Sequence, residues 1–196
     1  MKELLGQYPN LTQCSDDIKN ALDMMIETYK NKGKILVCGN GGSAADSEHI
    51  VGELMKGFML KRDVNDERLS PELCKGLQGA LPAISLVSQS AILSAYINDV
   101  DPYMMYAQLV YGYGDEKDLL ICLSTSGNSR NVVNAAKVAR ALGIKVLSMT
   151  GQNRSALCDV SNVVIRVPET ETYKVQELHL PVYHYLCAEV EKHFFE

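Results

Sequence analysis

With 196 residues, 46% hydrophobic and 22% charged, the chain has the size and composition of one well-filled globular domain, which argues against a disordered or fibrous protein. A formal net charge of -5 argues against the clustered Lys and Arg of a nucleic-acid footprint, so no nucleic-acid partner is expected. The six cysteines (Cys14, Cys38, Cys74, Cys122, Cys158 and Cys187) form no C-x-x-C pair and several sit in apolar runs; they read as reduced thiols of a cytoplasmic protein.

The first seven residues lack the apolar core of a signal peptide. No run of about 18 uncharged apolar residues follows, so neither export nor membrane insertion is expected. Between residues 11 and 32, Ile18, Leu22, Met25, Ile26 and Tyr29 recur at three- and four-residue steps, predicting an amphipathic leading helix that ends near Gly33. Apolar runs at 35–38, 83–87, 119–123, 146–149 and 163–167 predict five buried strands. Helical patterns lie among and after them at 44–55, 90–98, 104–111, 131–142 and 177–194. This alternation predicts a parallel sheet covered on both faces, a three-layer α/β/α sandwich filling one domain over residues 1–196. Its ligand is expected in the strand-to-helix turns at the carboxyl edge. Residues 61–79 are the least patterned segment. Charges crowd from Lys61 to Arg68, and Ser70 can cap a short helix with Pro71 at its first position; the segment reads equally as a lid or interface element and as a solvated loop.

The sharpest motif is S-T-S-G-N-S at 124–129, directly after the third strand and before a helix. A helix start offers unpaired N–H groups and a partial positive charge, and the hydroxyls of Ser124, Thr125, Ser126 and Ser129 add neutral donors for a phosphate. Gly127 allows close approach. The plainer alternative is a Ser-rich N-cap, but four hydroxyls exceed what a cap needs. A second turn, C-G-N-G-G-S at 38–43, brings Asn40, Gly41, Gly42 and Ser43 after the first strand. It is neither a P-loop nor a dinucleotide fingerprint, and no Lys follows the glycines, which argues against a nucleoside triphosphate.

His49 and Glu53 stand four apart and so share one helix face, placing an imidazole and a carboxylate together at one sheet edge for metal binding or proton transfer. A surface hydrogen bond is the plain alternative. Near the C-terminus, Q-E-L-H-L-P-V-Y-H supplies Gln176, His179 and His184, the last about two helical turns beyond the glutamine. His184 lies among apolar residues and reads equally as a core histidine, and Pro181 is expected to perturb this helix.

Together, G-N-G-G-S with His49 and Glu53, N-D at 98–99, S-T-S-G-N-S, I-R-V-P at 165–168 and Q-E-L-H with His184 resemble the sugar isomerase (SIS) domain. Within it they resemble the bacterial phosphoheptose isomerases, over nearly the whole chain. The resemblance implies a flavodoxin-like five-stranded sheet, a homotetramer with sites at subunit interfaces, and zinc near the reacting carbons. It implies His49, Glu53, Gln176 and His184 as metal ligands. The turn residues Asn40, Gly41, Gly42 and Ser43, together with Asp99, Ser124, Thr125, Ser126, Ser129 and Gln176, match substrate-binding positions. The implied reaction converts sedoheptulose 7-phosphate to D-glycero-D-manno-heptose 7-phosphate through an enediol, with Glu53 as base and His184 as its acid partner. The pattern departs from the family where an Arg is expected shortly after the glutamate and Lys56 is the nearest cation. It departs again where Tyr173 replaces an acid three positions before Gln176, and in the long 61–79 insertion. The competing readings are an isomerase of another phosphosugar and a non-catalytic, phosphosugar-binding or initiator-associating SIS protein. Retention of His49, Glu53, Gln176 and His184 together favours an isomerase.

Overall fold

Five short apolar runs pair side by side in the computed structural model, which describes residues 1–196: β1 (Ile35–Cys38), β2 (Ala83–Ser85), β3 (Leu119–Leu123), β4 (Lys145–Thr150) and β5 (Val163–Arg166). All neighbours are parallel, in the spatial order β2-β1-β3-β4-β5, the flavodoxin-like winding. Nine helices connect and flank the strands: α1 (Lys2–Gln7), α2 (Ser15–Lys30), α3 (Gly42–Met55), α4 (Pro71–Gly76), α5 (Ser90–Asp99), α6 (Met105–Tyr113), α7 (Arg130–Ala141), α8 (Ala156–Val160) and α9 (Thr172–Phe195).

Side chains alternate across each strand, so the sheet feeds two cores. Ile35, Val37, Leu119, Ile121, Leu123, Leu147 and Met149 face α1, α2, α3 and α9, while Leu36, Cys38, Leu120, Cys122 and Val146 face α6, α7 and α8. The three layers and five strands are those the sequence predicts, because a parallel sheet buried on both faces has to be written as continuous apolar runs.

The differences lie at element ends. The leading helix begins at Ser15, after a 3₁₀ stretch (Pro9–Cys14), and starts there because Asp16 and Asp17 suit the positive end of a helix dipole. The second strand stops at Ser85, and residues 86–88 turn as 3₁₀ helix. Helices α1 and α8 are too short to leave a periodic signature. α9 begins at Thr172 and runs unbroken through Pro181, contrary to the expected perturbation. The missing N–H leaves only the carbonyl of Glu177 unpaired, and Glu177 is exposed, where water can satisfy it. Ser70 caps α4 as expected, accepting from the Leu73 N–H at 3.3 Å. The preceding charged segment is not simply solvated, since Arg62 is buried against Glu191. α5 contributes no buried residue at all, leaving Ile92 and Ile97 exposed. No helix is long and apolar enough to cross a membrane.

Candidate active site

The chain leaves β1 toward β2 on one side and places β3 on the other, so the turns after β1 and β3 part at a switch in strand order. Asn40 and Asn131 bridge them: each side-chain amide donates to the other's oxygen at 2.9 Å. The Asn131 oxygen also accepts from the Val132 N–H at 3.0 Å, tying the first turn of α7 to the glycine turn.

In the serine loop the Ser124 and Ser129 hydroxyls meet at 3.0 Å, and the Ser126 hydroxyl accepts from the Asn128 N–H at 3.2 Å. Ser129 precedes α7 but its hydroxyl makes no capping bond, so the plain N-cap alternative does not describe it. The backbone N–H groups of Thr125, Ser126, Ser129 and Arg130 have no partner in the chain. Gly127 is left-handed at φ 65, and a Cβ there would lie 2.0 Å from Ser155 Oγ; the loop can turn this tightly only with glycine. Unpaired amides, hydroxyls and a helix start together are the chemistry an anion needs.

Gln176, in the first turns of α9, lies over the start of α3. A Cβ on Gly42 would stand 2.7 Å from its Nε2 and 2.9 Å from its Oε1. Gly41 holds φ 58, which lets the chain enter α3 at once, and Ser43 is buried.

From this end α3 runs back down the sheet. Ser47 meets Ser85 at the end of β2 (3.3 Å), whereas the Leu54 carbonyl accepts from Leu81 just before β2 begins. His49 and Glu53 therefore stand about 10 and 16 Å along the helix from Gly42, not at the carboxyl edge with the serine loop. The sequence pairs these two residues correctly and misplaces the pair. His49 Nε2 lies 3.1 Å from Glu53 Oε1, Lys56 Nζ lies 3.3 Å from Glu53 Oε2, and the His184 ring centre is 5.0 Å from that of His49. Tyr183 joins them, with its hydroxyl 2.9 Å from His49 Nδ1 and donating to Asp46 Oδ1 at 3.2 Å. His184 Nε2 is buried with no hydrogen-bond partner. Burial, reinforced by His49 and opposed by Glu53, lowers the His184 pKa, favouring the neutral ring; burial raises Asp46 against the Tyr183 hydrogen bond and His49.

His49, Glu53 and His184 thus converge, and Asn40, Gly41, Gly42, Ser43, Gln176 and the serines gather at the switch point. Asp99 joins neither group: it is exposed at the end of α5, bonded only by its neighbour Asn98 at 2.7 Å. Gln176 is two turns from the histidines it matches as a ligand, and no three His, Cys, Asp or Glu side chains close around one point. His179, within the same motif, is a wholly buried core histidine. Sequence reasoning missed Asp46, Tyr183 and Asn131. Asp46 lies three residues before His49 and so on its face, and Asn131 lies two past the serine motif, but a tyrosine in an apolar run carries no signal of its own.

The SIS domain family matches residues 93–187, and a second SIS domain family matches residues 8–72. A phosphoheptose isomerase of Helicobacter pylori is 37% identical over 94% of this chain and 88% of its own length. Among solved structures, a phosphoheptose isomerase from Francisella tularensis superposes with a TM-score of 0.81 at 29% identity, covering 95% of this chain and 91% of that one. One from Neisseria gonorrhoeae superposes at 0.80 with 27% identity, covering 97% and 94%.

Proposed function

The chain belongs to the phosphoheptose isomerases of the SIS-domain family, and from that membership we infer that it interconverts sedoheptulose 7-phosphate and D-glycero-D-manno-heptose 7-phosphate. The observation that carries the reading is the pairing of an uncapped, hydroxyl-lined helix start with a His49–Glu53–His184 cluster. One half suits a phosphate and the other a proton transfer.

In this reading Thr125, Ser126 and Ser129 hold the phosphate with backbone N–H groups and hydroxyls, and Gly127 keeps the loop close enough to do so. Glu53 takes a proton from the first carbon of the ketose and returns it to the second, while His184, kept neutral-leaning by burial, moves a proton from the first-carbon hydroxyl to the second-carbon oxygen. Lys56 and His49 hold Glu53 in place from both of its oxygens. The donors fit zinc in kind: two imidazoles, a carboxylate and an amide oxygen. The 3.1 Å between His49 Nε2 and Glu53 Oε1 is close to the ~3.3 Å edge of a tetrahedral site, and the orphaned His184 Nε2 lacks any other partner. His49, Glu53 and His184 are the residues that would hold it, while Gln176, two turns away along α9, does not reach them within one copy. Bound there, zinc polarises the substrate's carbonyl and hydroxyl oxygens.

One copy of the chain does not place the two halves within reach. From phosphorus to the second carbon a heptose phosphate spans at most about 10 Å at roughly 1.5 Å per bond. Glu53 is about 16 Å down α3 from Gly42, the end of the helix that lies at the serine-loop edge of the sheet, and Asp99 stands apart from both. A homotetramer with sites at subunit interfaces, each joining the serine loop of one copy to the Glu53 cluster of another, resolves this. The unburied apolar residues of α5, Ile92 and Ile97 among them, offer surface for such assembly. Six free thiols suit a reducing, cytoplasmic setting.

Proton NMR of sedoheptulose 7-phosphate in deuterated water, with and without added zinc, tests the reading. The expected result is an aldose product deuterated at the second carbon, slowed about 10²–10⁴-fold by Glu53→Gln. Phosphosugar binding without turnover would instead make the protein a sensor.

A further inference from the structure

The hydroxyls and amides of the serine loop are neutral donors, whereas a phosphate ester carries about 1.5–2 negative charges at pH 7. Residues 124–131 hold one formal charge, Arg130, and the glycine turn at 38–43 holds none. Arg130 opens α7 directly after Ser129, and its own N–H is among those left unpaired. A cation at the first position of a helix is set against the positive end of the dipole, and an anion seated on the same turn converts that repulsion into attraction. The guanidinium is exposed but ordered: its Cζ lies 4.2 Å from the centre of the Tyr103 ring, in the link between α5 and α6. Tyr103 is fixed in turn, since its N–H donates to Asp101 Oδ1 at 2.8 Å and its carbonyl accepts from Asn134 Nδ2, one turn along α7, at 3.0 Å. Stacking occupies a face of the guanidinium and leaves the N–H groups in its plane to donate. No carboxylate takes them, for Arg130 enters none of the ion pairs of the chain. Arg154 and Lys174, the cations of the following turns on this sheet edge, are each tied to a carboxylate, Asp159 and Glu171.

We propose that Arg130, pre-ordered on the face of Tyr103, is a further substrate-binding residue whose guanidinium donates to the phosphate held by the serine loop. The proposal rests on the phosphate reading of that loop given above. Arg130 supplies the charge that the loop lacks, and it does so from the residue whose backbone N–H faces the same anion, so the side chain has no distance to cross. It also sets specificity. Hydroxyls and amides alone accept a sugar hydroxyl or carbonyl as readily as a phosphate oxygen, whereas a guanidinium fork favours the phosphoryl dianion.

Steady-state kinetics with sedoheptulose 7-phosphate, beside phosphorus NMR titration with inorganic phosphate that needs no turnover, test this on the full chain. Arg130→Gln is expected to raise KM and the Kd for phosphate about 10-fold, with kcat changed less than about 2-fold, because the phosphate is held alike in ground and transition states. Its KM is also expected to rise less steeply with ionic strength than that of the wild type. Lys137→Gln removes the same charge two turns further along α7 and is expected to leave both constants unchanged. Tyr103→Phe keeps the ring face and the wild-type KM, while Tyr103→Ala is expected to raise KM about 2–5-fold. Arg130 lies on the surface, so Arg130→Gln decides even if a Tyr103 variant does not fold. Unchanged KM and phosphate Kd in Arg130→Gln, or an equal rise in Lys137→Gln, overturns the proposal and leaves the phosphate reading standing. A wild type that binds neither inorganic phosphate nor the sugar phosphate overturns both.

Discussion

Arg62 Nε and Glu191 Oε1 stand 2.8 Å apart with both side chains wholly buried, locking the segment after α3 onto the end of α9. Neither charge is left with unmet bonds. Glu191 also accepts from the backbone N–H groups of Phe58 and Met59 at 2.7 Å and of Leu60 at 3.1 Å, while Arg62 donates to the carbonyls of Leu54 and Glu53. Burial alone would raise the Glu191 pKa; the backbone donors and the guanidinium outweigh it and hold the carboxyl below its ordinary value. The charged insertion thereby anchors the backbone of Glu53.

Breaking this pair from one side strands a buried charge. Arg62→Met is expected to cost about 3–5 kcal/mol in urea unfolding, and the double variant Arg62→Met/Glu191→Leu to cost clearly less than the sum of the two single changes. Strict additivity would mean that the two side chains do not act as a pair.

Two glycines are expected to fail differently. Gly42→Ala meets only the far end of the Gln176 side chain, so stability should change by less than about 1 kcal/mol while isomerase activity falls as the amide is displaced. Gly127→Ala meets Ser155 from a left-handed backbone and should lose about 1–3 kcal/mol as well as raise KM through the serine loop. Thermal melts beside steady-state kinetics separate the two, and a Gly42→Ala enzyme of full activity would remove Gln176 from the site.

His179 is wholly buried, and burial, opposed by a backbone contact at Thr150, pushes its pKa down to about 4 from 6.5. Between those values the unfolded chain binds the proton and the folded one does not. Stability on the order of 3 kcal/mol, present above pH 6.5, is therefore expected to drain away as pH falls toward 4. His179→Leu should flatten that slope in denaturation curves taken across this window; an unchanged slope would assign the acid sensitivity elsewhere.

Thiol accessibility should split the cysteines. Cys74 and Cys158 are half-exposed, whereas Cys14, Cys38, Cys122 and Cys187 are buried; burial pushes Cys14 up to about 11 and Cys187 up to about 12. A disulfide reagent is expected to titrate two thiols in the native protein and six after unfolding. Four fast thiols would place a strand cysteine within reach of solvent.

The sequence by itself determined the sheet, because strands buried on both faces need apolar runs, and a run such as residues 119–123 has no other reading between its turn signals. It marked out the serine loop too, since hydroxyls and a glycine at a strand-to-helix turn are local chemistry. It also paired His49 with Glu53, because an i,i+4 spacing fixes a shared helix face whatever the helix packs against. Only the tertiary structure decided what joins these pieces. Tyr183 reaches His49 across 134 residues, Arg62 reaches Glu191 across 129, and Asn40 finds Asn131 across 91. Such contacts depend on which helices lie side by side and at what height, and α3 descending beside α9 sets Glu53 well below the serine loop. Helical periodicity records which face of a helix is buried; it holds no information about the neighbour that buries it.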